Sequence, residues 1–176
     1  MKKILLIAFM MVMSIGAFAQ SGKFAFGPHF GYAGFGDGYN PLGVGFQGRY
    51  YFTDQIRGEF QYEYWLPKDG GNLYGMDFNF HYLIPVDNKF NFYPIVGGTW
   101  MISSGGGNSE AIFGLNFGAG AEYLVAENLW LNFDFMYKSA KKTKQESVTV
   151  MGYTTTVEYD LKATGPIFQI GLTRVF

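Results

Sequence analysis

The sequence predicts an all-β chain in which eight antiparallel strands close into an up-and-down transmembrane β-barrel, with short turns at one end and longer loops at the other. Three observations predict it. Apolar and polar residues alternate with a period of two over eight runs of about ten residues, the length a tilted strand needs to cross a bilayer. The apolar parity is full of rings while the other carries glycine, asparagine and isolated charges, so the bulky side points away from the axis and the small polar side toward it. Charged residues make up 15% of the chain, against about a quarter in ordinary globular proteins, and aromatics reach 20%, more rings than a soluble domain of 176 residues readily hides.

The N-terminus predicts export. Lys2-Lys3, the apolar run Ile4 to Met13, and Ala17-Phe18-Ala19 before Gln20 follow the three regions of a secretory signal peptide, with cleavage expected after Ala19. The apolar run is shorter than the roughly 20 residues a spanning helix requires, which disfavours a membrane anchor. Residues 20–176 then form one barrel domain. With no Cys, neither a disulfide scaffold nor a lipid-modified N-terminal Cys is available. Removing Lys2 and Lys3 from 13 basic residues leaves 11 against 14 acidic ones, a mature charge near −3 that gives no support for nucleic-acid binding.

The first strand puts Phe24, Phe26, Phe30 and Tyr32 on one parity and Ala25, Gly27, His29 and Gly31 on the other, with an irregularity expected at Pro28, which has no N–H to donate. The second alternates Leu42, Val44, Phe46, Tyr50 and Phe52 with Gly43, Gly45, Gln47, Arg49 and Tyr51; the third alternates Ile56, Phe60, Tyr62 and Tyr64 with Arg57, Glu59, Gln61 and Glu63. Pairing Phe52 with Ile56 across the turn places Arg49 opposite Glu59, either as a lumen pair or as a solvated surface pair of little worth. Leu66 to Asn72 reads as a loop from its Pro, Asp and Gly.

The fourth run sets Tyr74, Met76, Phe78, Phe80, Tyr82 and Ile84 against Gly75, Asp77, Asn79 and His81, before a compact turn from Pro85 to Lys89. The fifth sets Phe92, Pro94, Val96 and Trp100 against Asn91, Tyr93, Ile95, Gly97 and Thr99, and Met101 to Glu110 reads as a flexible loop. In the sixth and seventh, Phe113 to Val125 and Leu129 to Tyr137 meet across Ala126-Glu127-Asn128, with Ala121 opposite Phe133 and Ala119 opposite Phe135. The eighth, Pro166 to Phe176, carries Arg174 on the lipid parity, where it can snorkel to the headgroups. Between them, residues 139–165 contain VTV and YTTTVEYDL around Met151-Gly152, which predicts a tall hairpin standing beyond the membrane, a disordered loop being the alternative.

Short links after the second, fourth and sixth strands and longer ones after the others place both termini in the periplasm and the 139–165 hairpin outside the cell. A soluble lipocalin-like barrel would have to hold four or five bulky residues from each strand in an interior that barely fits one small ligand. The inverted arrangement fits: glycines give space inside, and Arg49, Arg57, Glu59, Glu63, Asp77, Glu122 and Asp134 form a lumen charge network that leaves no wide pore.

The signal MKKILLIAF, the alternating strands, the FNFYPIVGG run and the terminal GLTRVF ending in Phe176 carry a resemblance across the whole mature chain. The chain resembles the small eight-stranded outer-membrane proteins of the OmpX and OmpA barrel type, the outer membrane β-barrel or porin-family domain. That resemblance implies integral insertion in the outer membrane as a monomer. It also implies a last strand read by the barrel-insertion machinery through Ile170, Leu172 and Phe176; the sequence gives no sign of the peptidoglycan-binding domain that follows the barrel in full-length OmpA-like proteins.

Function is then expected at the surface: adhesion or envelope integrity through the outer loops, with an extracellular ligand that the sequence does not identify. A narrow diffusion channel is the alternative, and a lipid A-modifying enzyme a second. For catalysis, His29 and His81 fall on the lumen parity while every mature Ser lies outside the strands and away from either His, so no catalytic residue is assigned. Two His without Cys give no metal-ligand spacing, and Gly105-Gly106-Gly107 lacks the Lys-Ser/Thr and helix of a phosphate loop, so no cofactor is expected. Lys138, Lys141, Lys142 and Lys144 form a basic cluster just outside the outer leaflet, expected either to contact lipopolysaccharide phosphates or to be simply solvated.

Overall fold

The structure is a computed structural model that describes residues 21–36, 40–68, 71–105, 108–150 and 153–176. The signal peptide and its cleavage point, the Asp37–Tyr39 part of the first loop and the Met151-Gly152 tip of the long hairpin lie outside the described residues. Nine strands follow one another: β1 (Phe24–Ala33), β2 (Leu42–Tyr51), β3 (Ile56–Lys68), β4 (Gly71–Tyr82), β5 (Ile84–Pro85), β6 (Phe90–Gly105), β7 (Asn108–Ala126), β8 (Leu129–Val150) and β9 (Tyr153–Val175). Each pairs antiparallel with its neighbours in the order β4-β3-β2-β1-β9-β8-β7-β6-β5, and β4 also pairs with β6, so the sheet closes on itself. β5 is a two-residue extension split from β4 at Leu83, whose side chain is buried, which leaves eight strands around the barrel.

Side chains are inverted relative to a soluble barrel. Phe30, Phe117 and Phe133 are more than half exposed on the outer face, while Arg49 and Arg57 inside are 1% and 0% exposed. Outer rings meet across the strands, as in Phe60 with Phe78 (5.1 Å between centroids), Trp100 with Phe113 (5.4 Å) and Phe135 with Phe168 (4.8 Å). In a bilayer this belt faces acyl chains, and a ring of paired strands satisfies the backbone polar groups that hydrocarbon cannot.

Register follows the alternation closely. Arg49 pairs with Glu59, Ala121 with Phe133 and Ala119 with Phe135. The β7–β8 turn differs by one residue: Ala126 pairs with Leu129 after a shift past Leu124, and Asn128 takes a left-handed conformation (φ 59°). That is the bulge through which a short type I hairpin turn matches the strand twist. At Pro28 the ladder to β2 is continuous, but on the β9 side it passes from Phe26–Arg174 to His29–Gly171 without pairing at Gly27 or Pro28.

Two expectations are corrected. Leu66–Asn72 and Met101–Glu110 are largely strand, since β3 runs to Lys68, β4 starts at Gly71, β6 runs to Gly105 and β7 starts at Asn108. The hairpin expected over residues 139–165 is present, with β8 running to Val150 and β9 starting at Tyr153. Beyond the bilayer both faces of a strand meet water, so nothing enforces an apolar parity, and Gly, Ser, Pro and Lys can sit in a paired ladder.

Glycines on the inner parity make room for large lumen side chains. A Cβ on Gly43 would lie 2.6 Å from Trp65, and one on Gly45 2.7 Å from the His29 ring, both closer than atoms approach. On the outer face, a Cβ on Gly48 would meet only Phe26, at 3.8 Å. Gly43→Val therefore lowers unfolding stability by about 1–3 kcal/mol through overpacking, whereas Gly48→Val leaves it unchanged or raises it, as read by urea unfolding in lipid vesicles.

Candidate functional site

Two regions qualify as sites: the filled lumen and the part of the barrel wall that rises outside the membrane. In the lumen, alternate residues of every long strand converge on one polar stack. Arg49 Nε donates to Glu59 Oε2 at 2.6 Å, and Arg49 Nη1 donates to Glu122 Oε2 at 3.2 Å. The same Glu122 oxygen accepts from Arg57 Nη1 at 2.6 Å, and its other oxygen accepts from Asn91 at 2.9 Å. Asp134 accepts from the Tyr93 hydroxyl at 2.6 Å and lies 3.7 Å from Arg49. The seven lumen charges read from the sequence are all buried and all belong to this stack or to the cluster above it.

The stack fixes the state of one histidine. Arg57 Nε donates to His81 Nδ1 at 3.0 Å, so that nitrogen carries no proton and Nε2–H is left facing Glu59 Oε1 at 3.4 Å. The imidazole stacks on Tyr93 with centroids 4.8 Å apart. His29 sits higher, 3.8 Å from Glu63, with neither ring nitrogen hydrogen-bonded. Both histidines are 2% exposed and their close polar partners are the lumen charges, not a Ser.

Lys138 is the main correction. Its Nζ lies inside the barrel, 2.9 Å from Glu63 and 2.8 Å from Asp77, with no solvent exposure. Gln169 donates to the other Glu63 oxygen. The reason is parity: Lys138 continues the inward row Asn132, Asp134, Met136 on β8, and its pairing with Gly165 lies below the point where the wall opens. It therefore does not contact lipopolysaccharide. Lys142 shares that inward parity but stands at the mouth, where it is 3.4 Å from Glu110 and donates to the Ala111 carbonyl at 3.3 Å. Lys141 is exposed on the outer face, and nothing is described of the Lys144 side chain.

Apolar layers close both ends of the polar stack. Phe35, Trp65, Leu73, Met101, Ile112 and Ile167 pack above it, and Tyr51, Leu83, Tyr93, Ile95, Trp130 and Val175 pack at its lower end. Trp65 caps Lys138 with its ring 5.9 Å from Nζ. The charges beneath are buried, at most 4% exposed. The sequence reading had not brought Trp65, Tyr93, Gln47 or Asn132 into this network. All four share the parity of the inward polar residues on their strands, and that shared parity is the signal that would have found them.

Above the membrane the wall is uneven. β8 last pairs with β7 at Ala140–Gly114, and β9 last pairs with β1 at Ile167–Ala33. From there β8 and β9 pair as strands with each other through ten further rungs, from Lys141–Lys162 to Val150–Tyr153, with Lys142 still reaching Glu110 and the Ala111 carbonyl of β7. At about 3.3 Å per residue this hairpin stands about 30 Å beyond its last neighbours.

A family model for the outer membrane protein β-barrel domain matches residues 5–173. The chain belongs to that family. Solved structures with the same fold include OprG of Pseudomonas aeruginosa (14% identity, TM-score 0.65, covering 89% of this chain and 97% of that one). The N-terminal barrel domain of OprF from the same organism matches at 14% identity and TM-score 0.61, covering 90% and 100%. The attachment invasion locus protein Ail of Yersinia pestis matches at 16% identity and TM-score 0.55, covering 89% and 100%. No curated protein sequence matches the chain. As a member of this family the protein is an integral barrel of the outer membrane, and its ring-covered face is the lipid-facing one.

Lys138→Met leaves Glu63 and Asp77 buried without their cation, and the barrel should lose about 3–5 kcal/mol of stability. Lys142→Met, at the mouth, should change stability little. Tryptophan fluorescence during urea unfolding in vesicles measures both.

Proposed function

We propose that this protein works as a monomeric surface-interaction barrel, contributing to adhesion or envelope integrity, whose β8–β9 hairpin binds an extracellular partner by adding a strand along its edge. The observation that carries the proposal is the ten-rung ladder beyond the barrel, paired on one side only for each strand among the described residues. A hairpin of that length beyond the barrel offers backbone donors and acceptors along its edge to an extended segment of another protein. Threonine-rich β9 (Tyr153-Thr154-Thr155-Thr156-Val157) favours the extended backbone this requires. Among structures of the same fold, Ail is an attachment protein by name, and it has also been solved in complex with the heparin analogue sucrose octasulfate.

The filled lumen favours this reading over a channel, because ions would have to displace Trp65 and the charge pairs beneath it. For biogenesis, we propose that the barrel-insertion machinery reads Ile170, Leu172 and Phe176, which share the outer face of β9 and its end, with Phe176 70% exposed.

Deleting Gln145–Leu161 should leave heat-modifiable gel mobility intact while abolishing adherence of expressing bacteria to host-cell and matrix-coated surfaces. Unchanged adherence would remove the hairpin from the function. In planar bilayers the intact protein should give no conductance steps, and stable openings would instead support the channel. Lipid A mass spectra from a deletion strain should match the parent strain, and a lost modification would support the enzyme.

A further inference from the structure

We propose that the barrel is two copies of one unit joined in tandem, β1 to β5 being the first and β6 to β9 the second, and that the folded barrel opens locally along the two seams where the copies meet. The inner face and the two edges of each copy are then an interface whose partner is the other copy.

The repeat runs through the sequence. Lys23-Phe24-Ala25-Phe26-Gly27-Pro28 opens the first copy and Lys89-Phe90-Asn91-Phe92-Tyr93-Pro94 opens the second, with Gly31 and Gly97 at the same step beyond. Residues 42–65 then align with residues 115–138 without a gap. Leu42, Gly45, Tyr50, Phe60 and Tyr64 recur as Leu115, Gly118, Tyr123, Phe133 and Tyr137, and Asp54-Gln55 in the turn recurs as Glu127-Asn128. Alternation makes any two barrel strands alike in their apolar positions, but it requires neither a proline at the same step nor an acid and an amide in the same turn. The pairing agrees with the alignment. Phe24 faces Tyr50 as Phe90 faces Tyr123, Gly48 faces Phe60 as Ala121 faces Phe133, and Tyr62 faces Met76 as Phe135 faces Phe168.

The lumen shows the same relation. Matching residues of two copies set around an axis touch only near that axis. Arg49 matches Glu122, and the two side chains meet at 3.2 Å; Trp65 matches Lys138, and its ring lies 5.9 Å from Nζ. Identical residues at these places would set two buried like charges or two indoles against each other. The copies have instead diverged into complementary partners where they face each other.

The copies meet along β1 with β9 and along β4 and β5 with β6. Both seams break at the repeated proline. One passes from Phe26–Arg174 to His29–Gly171 and the other from His81–Ile95 to Ile84–Phe92, so Pro28 stands opposite Leu172 and Pro94 opposite Tyr82. Phe176 donates to the Phe24 carbonyl and Val86 to the Phe90 carbonyl, and in antiparallel pairing such positions recur every second residue. Both prolines therefore fall where an N–H should cross the seam, and neither has one. Gly27 sits tightly in the first seam, where a Cβ would strike the Leu172 carbonyl. Within the copies, Gly48–Phe60 and Ala121–Phe133 lie in unbroken runs of pairs. Local opening starts where a ladder holds fewest hydrogen bonds.

The test is residue-resolved hydrogen exchange by NMR on the full barrel in lipid nanodiscs. The amides of Leu172 and Tyr82, opposite the prolines, should exchange at least about tenfold faster than those of Phe60 and Phe133, each opposite a strand of its own copy. Pro28→Val should slow Leu172 and Pro94→Val should slow Tyr82, each by about fivefold, because valine returns the missing donor. Gel mobility confirms that each variant is folded. Equal exchange at all four amides in the wild type, or fast exchange at one seam alone, overturns the proposal. Folded valine variants that leave both seams as fast as in the wild type also overturn it.

Discussion

The barrel depends on neutralising charge in a buried interior. Glu122 sits between Arg49 and Arg57, and Glu59 takes the remaining face of Arg49. A lone carboxylate or guanidinium in such a space would be prohibitively desolvated, so each charge is tolerable only because its partners from other strands arrive at the same height. Strand stagger around the closed sheet is therefore held by side chains as well as by backbone hydrogen bonds. A slip of one strand by one residue would send its inward charges into lipid and its outer rings into the lumen.

That constraint explains the glycines and the apolar caps together. Large charged and aromatic side chains fill an eight-stranded interior only if facing positions are small, which is why Trp65 lies over Gly43 and His29 over Gly45. The Trp65 layer above and the Tyr51–Trp130 layer below then keep water from competing for the ion pairs. Such a lumen braces the wall. It leaves interaction with the surroundings to the outer face and to the strands that rise past the membrane.

The asymmetry of the rim has the same origin. Within the bilayer every strand needs two neighbours, because an unpaired edge in hydrocarbon has no water to satisfy it. Above the headgroups that requirement lapses, and β8 and β9 can leave β7 and β1 behind at Ala140 and Ile167. The change in solvent along one pair of strands thus lets β8 and β9 run on past the barrel as a hairpin.

The period of two, the ring-rich outer parity and the short turns made most of the barrel legible in the amino-acid order, down to Arg49 opposite Glu59, because alternation and a tight turn are local properties. The strands beyond the membrane were not legible at Leu66–Asn72 or Met101–Glu110, where water on both faces removes the alternation that reports a strand. Lys138 shows the other limit. Its neighbours in sequence are surface lysines, yet its carboxylate partners come from β3 and β4 across the lumen, 75 and 61 residues away. Sequence by itself determined which face of each strand meets lipid. Only the closed tertiary structure decided which charges meet one another and at what height, because strand stagger and barrel closure bring together residues that no local pattern connects.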